Sequence, residues 1–420
     1  MDDFNRDGSV TPPHHPTSGV RILRQEIEAI ASLAFPASNL LSITQIERGK
    51  SYNNRIFFLK LEHHAADTSS ATSTPAAQPE ELVLKVNGRF FGANKIQNEV
   101  SCLQLLQKYC PGVPSPRALA WSEDGHVAHC VTRPTAGDHP LELPPGVEKS
   151  EHGGWILMSR VPGSPVPVED LDDQTLTELG HQLGDMVASI RQDIPPQQHC
   201  GNIQLSKKAH GEEDHSSLVI RDIVPEGIKT DEAITTVNQY YQVKLADKIR
   251  LLETEATYAP NRGLLDALRS FISNCLPRLE LTNRDDPLSS KFVLTHYDLS
   301  PRNTLVSGQP PRITGLVDFE FAGFFPPVDE FLNDAVNNSG DWPEVFYSAY
   351  MARLHSKGVA TQLQGFDQGV WNRCLWLETL IGNVAPWYLP GDLEGEELRA
   401  KLREAENSVT DMLSKLNGPE

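Results

Sequence analysis

The segment Thr295 to Val306 reads THYDLSPRNTLV, and Gly315 to Phe321 reads GLVDFEF. A histidine, an aspartate two residues on and an asparagine five beyond that are therefore followed shortly by a second aspartate. Phosphoryl transfer asks for these residue types: a carboxylate that orients a hydroxyl and accepts its proton, and an amide oxygen with a second carboxylate to hold Mg²⁺. Asp298, Asn303 and Asp318 fit those roles in that order, and His296 is expected to bridge two backbone segments so that the loop keeps its shape. Taken singly, each of these residues reads as well as a helix cap or an Asx-turn. The spaced set between two strand-like stretches, Phe292 to Thr295 and Ile313 to Val317, is what points to chemistry.

Earlier in the chain, Lys85 lies in LVLKV and Glu99 in IQNEVSCLQLL. A lysine on a strand, held by a glutamate on the next helix, is what nucleotide phosphates require, although alone such a pair is usually solvated. Between the first two expected strands the chain reads IERGKSYNNRIFF. There Gly49 permits a tight turn, and Ser51, Asn53 and Asn54 offer donors to phosphate oxygens. Without a GxGxxG pattern this stretch fits an ordinary hairpin turn equally well. An adenine ring is expected to meet the backbone near Met158, Ser159 and Arg160, with Pro162 and Gly163 shaping the turn that follows.

These residues need elements to hold them. Val20 to Phe35 has helical apolar spacing and ends at Pro36. Leu40 to Glu47, Arg55 to Leu61 and Glu81 to Val86 read as antiparallel strands, and Asn94 to Tyr109 as a helix packed on them. Further strands are expected at Arg117 to Trp121, Val127 to Thr132 and Trp155 to Arg160. After the N-cap candidates Asp172 and Asp173 the chain turns helical: Gln174 to Gln192, Thr230 to Glu255, Gly263 to Leu276, and most of Phe331 to Leu416. The polar, Pro-, His- and Ser-containing residues 1–19 read as a flexible tail, and the Ser/Thr/Ala-rich stretch 63–80 as a surface insertion. The layout is α+β in two lobes: an antiparallel N-lobe over 20–158 and a larger helical C-lobe over 159–420, which carries the catalytic loop 296–303 and the metal-binding segment 317–320.

Composition narrows the function. Among 420 residues, 37 Lys and Arg stand against 56 Asp and Glu, a net charge of −19, which argues against a surface built to neutralise nucleic-acid phosphates. The 6 cysteines are scattered without metal-ligand spacing, and no apolar run reaches the length of a membrane span. The start of the chain lacks the basic and apolar stretches of a secretion signal, so a cytoplasmic location is expected.

With these residues in place, the chain resembles the aminoglycoside phosphotransferase family, small-molecule kinases of the protein-kinase-like fold that also includes choline kinase-like enzymes. The resemblance runs from about Leu40 to Trp387. It rests on VLK at 83–85, Glu99, ILMSRVPG at 156–163, HYDLSPRN at 296–303 and VDFEFAGFFPPVDEF at 317–331. It implies a bilobal fold, ATP or another nucleoside triphosphate as donor, Mg²⁺ on Asn303 and Asp318, Asp298 as base, and Asp329 bracing the catalytic loop. The acceptor would be a hydroxyl of a small molecule.

Three departures stand out. Tyr297 replaces a common Gly, Glu320 follows Asp318 where protein kinases have Gly, and Ser300 replaces the lysine that protein Ser/Thr kinases place two residues after the catalytic aspartate. A docking platform for a peptide is not evident, which disfavours a protein kinase. The alternative is a catalytically silent relative that binds nucleotide or a partner, although such a protein usually lacks one of Lys85, Asp298 or Asp318. Substrate choice is expected in the helical lobe. Trp342, Trp371, Trp376 and Trp387 there read as pocket walls or, more readily, as core, and Glu378, Asp392 and Glu394 as contacts for a cationic acceptor or as a solvated face.

Overall fold

Residue types that alternate in the first third of the chain pair into one antiparallel sheet. In the computed structural model, which describes residues 15–46, 51–63, 80–89, 91–131, 141–142, 152–204, 218–283, 290–332, 341–389 and 393–418, this sheet has seven strands. They are β1 Ser38–Gln45, β2 Asn54–His63, β3 Glu80–Asn87, β4 Ala118–Ser122, β5 Val127–Cys130, β6 Leu141–Glu142 and β7 Trp155–Ser159. Their order is β1-β2-β3-β7-β4-β5-β6, and every pairing is antiparallel.

The two-residue period of a strand decides which core each side chain joins. On β7, Trp155 and Leu157 enter the apolar layer beneath helix α1, Arg24–Ala34, while Ile156 and Met158 face the layer under helix α2, Ala93–Tyr109. Helix α2 meets that layer with Ile96, Val100, Leu103 and Leu106, spaced three or four apart. Each such side chain, moved from water to the core, stabilises the fold by about 1.5–3 kcal/mol.

Helix α1 is shorter than the spacing predicts. Val20 and Ile22 are buried, yet Leu23 is extended at its N-cap, so an extended lead-in accounts for their burial. Residues 1–14 of the expected tail lie outside the described residues, and the rest of it is not a tail: Thr17 and Ser18 are buried, and the Arg89 N–H donates to the Pro16 carbonyl at 2.9 Å. Most of the expected insertion, 64–79, also lies outside the described residues; His63 ends β2 and Glu80 opens β3.

Past the sheet the chain is mainly helical. Helix α3, Asp173–Asp193, starts at Asp172, whose carboxylate accepts the Thr175 N–H at 2.7 Å. Then come α4 Val237–Thr254, α5 Leu265–Asn274, α6 Glu344–Ser356, α7 Gln368–Val384 and α8 Gly395–Asn417. The predicted start of α4 at Thr230 is seven residues early, because Thr236 supplies the N-cap by accepting the Gln239 N–H at 3.1 Å.

Short strands carry the reactive loops: the expected stretches 292–295 and 313–317 form two of them, and the others were missed by the sequence reading. The connector leaving the sheet forms β8, Ser164–Pro165, and β9 Asn202–Gln204 pairs with β10 Val219–Arg221. Strand β11, Val293–Thr295, leads into the 296–303 loop, and β12 Thr304–Ser307 and β13 Arg312–Leu316 form the hairpin after it, with β8 on its edge. Strand β14, Gly323–Phe325, returns to pair with β11. No described helix is long and apolar enough to cross a membrane.

Candidate active site

The loop between β11 and β12 is held from inside by His296. Its Nε2 lies 3.1 Å from the Val317 carbonyl, and its Nδ1 accepts the Asp298 N–H at 3.4 Å. With Nε2 as donor and Nδ1 as acceptor both contacts are met, so this buried side chain braces the loop from inside. Asn303 donates its side-chain amide to the Asp298 carboxylate at 3.0 Å and to the Asp298 carbonyl at 2.9 Å. The exposed Arg302 takes the other Asp298 oxygen at 2.9 Å.

The Val317 N–H donates to the Asn303 carbonyl at 3.0 Å, which sets Asp318 beside Asn303. Since the Asn303 nitrogen faces Asp298, its amide oxygen is turned away from it. An amide oxygen and a carboxylate carried on backbone segments joined by that hydrogen bond are hard donors of the kind Mg²⁺ takes, so the residue types fit that ion.

Two residues here are left-handed without being glycine: Tyr297 at φ 72° and Asp318 at φ 69°. Such a conformation costs on the order of 1–3 kcal/mol and persists only where the surroundings enforce it. The Tyr297 ring lies 5.2 Å from that of Phe325, and Phe319, next to Asp318, lies 4.5 Å from His296. The position where the family often has Gly thus keeps the backbone conformation that Gly allows.

Outside support for the loop differs from the expectation. The His296 N–H donates to Glu330 at 3.0 Å, and Glu330 also pairs with the buried Arg191 at 3.3 Å. Asp329 points elsewhere and accepts the Tyr240 hydroxyl at 2.6 Å. The adjacent acid therefore braces the loop. The Trp342 indole N–H adds a second brace, donating to the Leu299 carbonyl at 3.1 Å.

Lys85, on β3, is where sheet, helix and loop converge. Its ammonium lies 2.8 Å from Glu99 on α2, 2.5 Å from Asp318 and 2.7 Å from Glu320. Burial alone would lower its pKa, but the carboxylates of Asp318, Glu320 and Glu99 reverse this and hold it well above the ordinary lysine value. Burial raises Glu99 and Asp318. Glu320 goes the other way: burial is its largest influence, yet Lys85 and Lys95 overcome it and hold the carboxyl well below the ordinary range.

Glu320 is the feature that sequence reasoning left without a role. Besides Lys85 it meets Lys95 at 3.0 Å and accepts from the amides of Asn53 at 2.8 Å and Asn54 at 2.6 Å. The expected phosphate donors Asn53 and Asn54 are thus committed to a carboxylate. Ser51 stands at the edge of the described hairpin, and Gly49 lies outside the described residues. A lysine four residues before Glu99, one helical turn away, was the available signal for Lys95.

The connector also departs from expectation. The Ser159 and Arg160 N–H groups donate to Arg117 and Glu81 carbonyls, and the Arg160 guanidinium pairs with Glu81 and lies over the Phe58 ring. Both groups of Arg160 are therefore taken, and Met158 is buried in the sheet. Gly163, at φ 118°, presses on the β12–β13 hairpin: a Cβ there would come within 2.7 Å of the Val306 carbonyl.

Helix α2 is tied to the C-lobe by amides. Asn98 donates to the Glu320 and Ala322 carbonyls at 2.9 and 2.7 Å and accepts the Ile203 N–H at 2.8 Å, and Asn202 donates to the Ala322 carbonyl at 2.9 Å.

In the helical lobe, Trp342 and Trp371 are buried in the core, Trp376 packs partly buried against it, and Trp387 is 77% exposed. Glu378 accepts from the fully buried Lys244 at 2.6 and 2.8 Å, which removes it as a free contact for a cationic acceptor. Glu394 is exposed at the N-cap of α8, and Asp392 lies outside the described residues.

Comparison with known proteins agrees with this geometry. Residues 60–366 match the model of the phosphotransferase enzyme family. Among solved structures, the ADP-bound aminoglycoside phosphotransferase APH(2'')-Ib aligns with a TM-score of 0.53 at 13% identity, over 93% of this chain and 99% of that one. The streptomycin-ATP-APH(2'')-IIa ternary complex aligns with a TM-score of 0.53 at 14% identity, over 94% of this chain and 99% of that one. At these identities the likeness shows the fold. No curated protein matches the sequence.

Proposed function

Because the chain belongs to the phosphotransferase enzyme family, we propose that it moves the γ-phosphoryl group of ATP, as the Mg²⁺ complex, to a hydroxyl of a small molecule. The observation that carries this reading is that Lys85 reaches Glu99 and Asp318 at once, while the residue before Asp318 is hydrogen-bonded to Asn303. Mg²⁺, when bound by Asn303 and Asp318, supplies charge neutralisation on the phosphates.

The chain's own residues do the rest. Lys85 binds the phosphates, and Glu99 keeps it in place. Asp298, positioned by Asn303 and Arg302, orients the acceptor hydroxyl and takes its proton as the bond to phosphorus forms. His296, Glu330 and Trp342 fix the backbone on which Asp298 rides. A small-molecule acceptor is supported by the neighbour's ternary complex of streptomycin and ATP.

The test is Asp298→Asn with MgATP and a panel of hydroxylated small molecules. Turnover is expected to vanish while MgATP binding, read by calorimetry, stays; retained turnover would refute the assignment of the base.

A further inference from the structure

Resting on the nucleotide reading above, one detail of the Lys85 site remains to be explained. Lys85 is surrounded by three carboxylates: it donates hydrogen bonds to Glu99 and Asp318 and lies 2.7 Å from Glu320 as an ion pair. To bind a phosphate oxygen it must let one go. Glu99 is buried, and Lys85 is the cation it meets, so releasing it would leave a buried charge without a counter-ion. Asp318 has an alternative only once a metal arrives with the nucleotide. Glu320 already has three other donors, Lys95, Asn53 and Asn54.

Lys95 is placed as a counter-ion of Glu320, at ion-pair distance from its carboxylate. It meets three acceptors: Glu320 at 3.0 Å, the Asn54 oxygen at 2.7 Å and the Asn87 oxygen at 3.0 Å. Both amides are oriented by other partners, since Asn54 donates its nitrogen to Glu320 and Asn87 to the Phe91 and Gly153 carbonyls.

We propose that Lys95 is a positioning residue of the nucleotide site: it holds Glu320 when Lys85 leaves that carboxylate for a phosphate, so that the exchange strands no buried charge. Glu320 in the place of a glycine then acts as a resting contact for Lys85, and Lys95 makes that contact reversible. Lys95 itself touches no phosphate. Without it, Glu320 has no other cation among the described residues and keeps Lys85.

Calorimetry on the full chain tests this with MgATP and with adenosine, which has no phosphate. Lys95→Met is expected to weaken MgATP about tenfold, the loss of roughly one charged hydrogen bond, and to leave adenosine within about twofold. Lys95→Met/Glu320→Gln, which also removes the competing charge, is expected to return MgATP to within about threefold of wild type. Unchanged MgATP affinity in Lys95→Met, equal loss of MgATP and adenosine, or no recovery in the double variant each overturns the proposal. If Lys95→Met does not fold, Lys95→Gln, which keeps hydrogen-bond donors for the two amide oxygens but removes the charge, takes its place under the same criteria. A wild type that fails to bind MgATP overturns the nucleotide reading and this proposal together, an outcome distinct from a wild type that binds and a Lys95→Met that does not differ from it.

Discussion

Replacing Glu330 by alanine separates two roles that one carboxylate plays. Glu330 counters Arg191, whose side chain is 6% exposed, and accepts the His296 N–H. Among the described residues it is the carboxylate within ion-pair distance of that guanidinium. Its removal leaves Arg191 as a buried charge without a counter-ion, a loss of about 3–5 kcal/mol. In Arg191→Met/Glu330→Ala the stranded charge is gone and the unsatisfied loop N–H remains, worth about 1–3 kcal/mol. Glu330→Ala also leaves the loop N–H unmet, so the double variant should be more stable than the single one by about 3–5 kcal/mol, the cost of the stranded charge alone. Urea unfolding followed by tryptophan fluorescence reads the stabilities, and ADP formation from MgATP in the presence of an acceptor hydroxyl reads the loop. Both variants should lose turnover alike, since in both the His296 backbone has lost its acceptor. A double variant no more stable than the single, or one with wild-type turnover, would refute the division of labour between Arg191 and the loop.

Burial pushes the Asp329 carboxyl up to about 7, with Glu378 adding to the rise. The folded state then holds a proton that the unfolded chain has released above about pH 3.9, so this group's contribution is largest in acid and falls as pH rises toward 7, by up to about 1.4 kcal/mol per unit. Asp329→Asn keeps an acceptor for Tyr240 and should flatten the slope, measured as urea midpoints between pH 5 and 7.5. Trp342→Phe should cost about 1 kcal/mol and lower turnover without changing MgATP affinity, because it removes the donor to Leu299 and leaves the cleft intact; a changed MgATP Kd in calorimetry would contradict this.

What the sequence made legible is local. HYDLSPRN was readable because its residues act within one turn of chain, where spacing equals geometry, and the order of strand lysine and helix glutamate foretold the contact of Lys85 with Glu99. Adjacent acids are harder. Asp329 and Glu330 differ only in the direction each side chain leaves the backbone, and that direction is set by Tyr240 and Arg191, 89 and 139 residues away. The Glu320 cluster stayed hidden for the same reason: its partners lie 266 and 267 residues from it in the hairpin at Asn53 and Asn54. At the lobe connector the Arg160 N–H, expected to face a ligand, donates to the Glu81 carbonyl, a pairing across 79 residues that spacing does not reveal.

The amide stitching of helix α2 bears on control. In a two-lobed enzyme whose activity is throttled by swinging that helix, the lysine and glutamate must part cheaply. Here parting them also requires that the buried Asn98 release two carbonyls and one N–H of the other lobe. At about 1–3 kcal/mol for each buried group left unmet, the switched-off arrangement is a scarcely populated state. For the nucleotide site proposed here, throughput would follow the abundance of the protein and the supply of its reactants, with the helix serving as a fixed wall.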